Sequence, residues 1–96
     1  MEDRIYYTNL FDYYGELLTD IQKNYFEDYY FNNLTLSEMS ENYNVSRNAV
    51  SKQLKGVINK LDYYEEKLNL YNKSKKIKEI IKDIDEEKQN KIIDLI

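Results

Sequence analysis

Nowhere in these 96 residues is there a proline, and there are only two glycines. A chain with so few backbone breakers, and with no alternating apolar–polar segment, is expected to be all-α. Its apolar residues recur at helical spacing. Tyr7, Leu10, Phe11, Tyr14 and Leu17 describe one face of a first helix, and Ile21, Tyr25 and Tyr29 one face of a second. Thr19 followed by Gln22, and Thr35 followed by Glu38, have the form of capping boxes that open the second and third helices. Gly15 is placed to close the first helix with a positive φ, and the "NN" at 32–33 to end the second. The expectation is one helical domain over 1–96 with five or six helices. It divides into an N-terminal helical pair at 1–33, a central unit at 35–61 and a C-terminal helical extension at 62–96.

The central unit holds the most informative stretch, "NYNVSRNAVSKQLK" at 42–55. Before it, a short helix would turn Leu36, Met39 and Tyr43 inward. Asn44 accepts the left-handed conformation cheaply and can make a tight turn without glycine. Val45 is expected to plug the corner, and Ser46 to cap the helix that follows. From Val50 onward, Leu54, Val57, Leu61, Tyr64, Leu68 and Tyr71 continue in steps of four and three, as one long helix or two with a small bend. Gly56 costs such a helix roughly 1 kcal/mol relative to Ala, which a bend or a close approach would explain. A short helix, a tight turn and a second helix within about twenty residues make a helix-turn-helix. Met39, Ser40, Val45, Ala49, Val50 and Leu54 supply the small or apolar residues its crossing needs.

Charge changes sign at that turn. Residues 1–41 hold nine acids against two bases, whereas 42–60 holds four bases and no acid. On a helical wheel of about 100° per residue, Asn48, Lys52, Lys55 and Asn59 cluster opposite Val50, Leu54, Val57 and Leu61, with Arg47 and Ser51 on the flank. Such side chains suit phosphate oxygens and base edges, and a recognition helix presents them from its first turns. These six residues are the candidate nucleic-acid contacts. The bland alternative is an exposed helix made soluble by Lys and Asn. Three or four cations neutralise only a few phosphates, and a net charge of −4 lacks a strongly basic footprint. One copy should therefore bind weakly.

Other classes are disfavoured. The chain has no Cys and no His, which removes disulfides, thiolate metal sites and the commonest general base and metal ligand. With no Gly-rich phosphate loop either, no enzyme, cofactor or metal is expected. The "DEEK" and "YYEEK" clusters read as solvated partners on charged helix faces. The N-terminus has no apolar leader and no apolar run approaches the ~20 residues of a membrane span, so a cytoplasmic location is the default. The 11 tyrosines would make a stacking platform, but their spacing reads mostly as core. In the tail, Ile77, Ile80, Ile81 and Ile84 form an apolar face that must meet its own domain or a second copy of the chain.

"LLTDIQ", "YY" before a short polar loop, "LSEMSENYNVSRNAV" and "YEEKL" together resemble the YlxM-like family of small bacterial helix-turn-helix proteins, over roughly residues 5–85. The resemblance implies an all-helical fold with a sigma-factor region-four-like core. It also implies an accessory or regulatory role in the signal recognition particle pathway, touching the particle's RNA or its GTPase components. Two departures stand out: "SKQLKG" is more basic than the family pattern, and Ser40 replaces a usual Ala. The expected function is thus a non-enzymatic nucleic-acid-binding accessory protein. A DNA-binding transcriptional regulator and a protein-docking module remain as alternatives.

Overall fold

The computed structural model describes residues 3–96, and over them the chain is helical. Helix α1 (Arg4–Tyr14) ends in a 3-10 turn at Gly15–Leu17, and α2 (Asp20–Phe26) runs on into a π-helical turn at Glu27–Phe31. Helices α3 (Leu36–Tyr43), α4 (Arg47–Leu68) and α5 (Leu70–Ile80) follow, then a 3-10 turn at Ile81–Asp83 and α6 (Glu86–Ile93). The 22-residue α4 is the centrepiece, with α1, α2, α3 and α5 all packed on it.

Local chemistry sets most boundaries. Thr19 and Thr35 each form both halves of their capping boxes, and the Ser46 hydroxyl accepts from the Ala49 N–H. Three asparagines make the left-handed turns: Asn33, Asn44 and Asn69 all have φ of 56°. Asn69 divides the long heptad stripe into α4 and α5, the two-helix alternative, at a position that apolar spacing alone did not give. Gly15, by contrast, is right-handed at φ −55°. Its requirement is space, since a Cβ there would lie 3.2 Å from the Phe11 ring. At Gly56 α4 runs on unbroken, and a Cβ would meet nothing within 4 Å, so no contact within the chain offsets its cost.

Two adjoining clusters form the core. One gathers Leu10, Tyr14, Leu18, Phe26, Tyr30, Val57, Ile58 and Leu61, with Phe11 stacked on Phe26 at 4.3 Å between centroids. The other gathers Tyr25, Met39, Val50 and Leu54 beneath the helix-turn-helix. Several expected core positions lie outside. Leu17 is 51% exposed because the 3-10 turn takes it off the α1 face, and Ile21 is 52% exposed. The second helix buries Tyr25 as expected, but Phe26 and Tyr30, rather than Ile21 and Tyr29, complete its inward face, because the Phe26 ring is stacked between those of Phe11 and Tyr30. Leu68 is exposed at the end of α4.

The largest departure is Glu65, expected as a solvated charge in "YYEEK" and found buried. Its carboxylate accepts from the Tyr14 hydroxyl, from the Tyr71 N–H at 3.1 Å and from the Asn72 N–H at 3.0 Å. The Tyr14 oxygen in turn accepts from the Leu70 N–H at 3.0 Å. The first three amides of α5 are thereby satisfied by side chains from α4 and α1. Asn69, the residue in the capping position, contributes no side-chain bond.

Burial, helped by the bond to the Glu65 carboxylate, pushes the Tyr14 hydroxyl up to about 12 from an ordinary 10.0. Burial and the bond to Asp28 raise Tyr43 in the same direction. Between pH 10 and about 12 the unfolded chain loses a proton that folded Tyr14 keeps. Stability supplied by Tyr14 is therefore present below that window and lost as pH rises through it, by on the order of 2 kcal/mol. Urea midpoints measured from pH 9 to 11.5 are expected to fall less steeply in Tyr14→Phe than in the parent. Parallel curves would contradict the shift.

Candidate nucleic-acid interface

Helix α3, the turn through Asn44, and α4 form the candidate interface. Asn44 is left-handed at ψ 46°, the Val45 N–H donates to the Ser40 carbonyl at 3.1 Å, and the Ser40 hydroxyl donates to the Val45 carbonyl at 2.6 Å. Ser40 is thus a clasp across the turn, a role Ala would lack. Beneath, Met39 and Val50 are fully buried, Leu54 nearly so, and Ala49 half-buried. Tyr25 stacks on Tyr43 at 4.2 Å, fixing the end of α3. Val45 does not plug the corner. It is 39% exposed, because the turn is closed by hydrogen bonds and the core beneath is filled by Tyr25 and Met39.

The six candidate contacts, Arg47, Asn48, Ser51, Lys52, Lys55 and Asn59, are all solvent-exposed along the first three and a half turns of α4. Arg47 lies back toward α3, its Nη1 3.5 Å from the Ser37 hydroxyl. The ion pairs of the described residues join Lys23 to Glu16, Lys82 to Glu79 and Lys91 to Glu87. None involves Arg47, Lys52 or Lys55, so no carboxylate of the described residues pairs with these cations. The nearest α4 carboxylate downstream is Asp62, whose Oδ2 accepts from the Tyr7 hydroxyl at 3.0 Å. Lys60, the fourth cation of the segment, is exposed on a different side of α4.

Elsewhere, no group of three or more carboxylates that could hold a metal occurs among the described residues, and none of their helices is long and apolar enough to cross a membrane. The tail divides unequally. Ser74 and Ile81 are buried and Tyr71 packs on Tyr6 and Tyr13 of α1, so α5 folds back on its own chain. Ile80 is 75% exposed, and α6 buries none of its residues.

A short first helix, an asparagine turn, and a long second helix with an acid-free outward face define a helix-turn-helix protein. The whole chain, residues 1–96, matches the model of the UPF0122 family, described as "Putative helix-turn-helix protein, YlxM / p13 like". It is 44% identical over 85 residues to the UPF0122 protein of Caldanaerobacter subterraneus subsp. tengcongensis, covering 88% of this chain and 73% of that protein. A relative from Malacoplasma penetrans is 45% identical over 85 residues, covering 88% and 77%. One from Fusobacterium nucleatum is 38% identical over 87 residues, covering 91% and 84%. The chain belongs to the UPF0122 family.

Proposed function

We propose that this protein is a non-enzymatic nucleic-acid-binding accessory protein that acts in the signal recognition particle pathway and contacts the particle's RNA. The observation that carries the binding is the outward face of α4. Lys52 and Lys55 stand there unpaired, with Arg47, Asn48, Ser51 and Asn59 around them and no carboxylate between Asn42 and Leu61. The pathway and the particle's GTPase components come from the YlxM-like resemblance. The tail supports assembly: the exposed apolar residues Ile80, Ile84 and Leu95 suit pairing with a second copy, which would double the phosphate contacts.

Titration into labelled particle RNA and into random duplex DNA of matched charge, each at two salt concentrations, tests this. RNA preference is expected, with log affinity falling by roughly two to three per tenfold rise in salt, as few phosphates are engaged. Preference for a defined duplex would favour a transcriptional regulator using the same face. Absence of binding to either at low salt would end the nucleic-acid reading.

A further inference from the structure

Beside α4 a cavity of about 270 Å³ opens between that helix, α1 and α3. Its floor is apolar, from Leu54 and Ile58 of α4 with Leu36 of α3, and Tyr7 and Tyr29 form aromatic walls. Ser51, Lys55 and Asn59, one helical turn apart, make a polar rim. A shallower depression continues past Tyr29 and Leu36 and contains Arg4, whose guanidinium lies 5.2 Å from the Tyr29 ring centroid.

Pockets for drug-sized ligands begin near 300 Å³, so this one suits a single flat group. Lys55 and Asn59 belong both to its rim and to the outward face of α4, so a backbone tracking that face passes its mouth. Asn59 and Lys55 make no side-chain bond among the described residues. Asn59 therefore offers an amide donor and acceptor, and Lys55 a charge. Among the described residues, the Asp62 carboxylate beside this wall accepts from the Tyr7 hydroxyl. Aromatic walls, an apolar floor, and an amide and one cation at the rim form a site for a base beside its phosphate.

We propose that this cavity takes one unpaired nucleobase of the bound nucleic acid, with Lys55 on the adjoining phosphate and the Asn59 amide on the polar edge of the base. The proposal rests on the α4 reading above and narrows it: bases stacked within a duplex cannot enter, so loops, bulges and single strands are favoured.

The test uses the full chain with 13C-labelled Leu and Ile methyls. It is titrated with a five-nucleotide single-stranded RNA and with the same RNA carrying an abasic central nucleotide. The intact RNA is expected to shift the Leu36, Leu54 and Ile58 methyls and to bind about tenfold more tightly than the abasic one. Leu36→Phe, which fills the cavity from its α3 side, should bring the intact RNA down to the abasic level. Equal affinities and equal shifts would overturn the pocket while leaving the α4 surface in place. No binding of either RNA would overturn both.

Discussion

Glu65→Ala is expected to lower the free energy of unfolding by about 3 kcal/mol, the largest loss from any single polar side chain in the protein. The carboxylate accepts three hydrogen bonds in a site only 9% exposed, from Tyr14 and from the amides of Tyr71 and Asn72. Truncation strands those donors where little water reaches them and removes a negative charge from the start of α5. For a chain of this size the melting temperature should fall by roughly 15 °C. Glu65→Gln should cost about half as much, because one oxygen still accepts while the new amide confronts an N–H donor. Amide exchange at Leu70, Tyr71 and Asn72 should quicken in both variants. A loss below about 1 kcal/mol in Glu65→Ala would mean that water replaces the carboxylate at little cost.

The second large effect is on binding. Lys52→Glu combined with Lys55→Glu is expected to weaken nucleic-acid binding by more than roughly a hundredfold at low salt, since two attractions become two repulsions. The melting temperature should stay within about 2 °C of the parent. Both side chains are exposed, neither is in an ion pair, and Glu and Lys have similar helix propensity. The control Lys76→Glu with Lys78→Glu makes the same change of net charge on α5, and should leave affinity within about threefold. Full affinity in the α4 variant would remove the assignment. Loss in both variants alike would reduce the effect to net charge.

The two effects differ in how far they could be anticipated. The α4 face was legible because a helical wheel needs only the order of residues and one anchored apolar stripe, which Val50, Leu54, Val57 and Leu61 provide. All four are buried. Ser40 was legible as a small residue at the helix crossing but not as a clasp, since its bond to Val45 depends on how tightly Asn44 folds the chain. Glu65 was hidden. Beside Glu66 and Lys67 it has the pattern of a solvated helix face, and nothing in "YYEEK" shows that Tyr14 will lie against it. The cavity was hidden for the same reason: Tyr7, Leu36 and Asn59 come from three separate helices.

The order of residues by itself determined the all-α class, the openings of α2, α3 and α4 at Thr19, Thr35 and Ser46, the left-handed turn at Asn44 and the acid-free segment behind it. Each of these depends on a bond or a periodicity that closes within a few residues, so it needs no knowledge of the rest of the chain. Tertiary structure alone decided which residues of each stripe are buried, with Phe26 and Tyr30 inside and Leu17 and Ile21 outside. It also decided that Tyr14 and Glu65, 51 residues apart, would together cap α5. Those outcomes depend on helices competing for the same volume against α4, a long-range condition that no local pattern encodes.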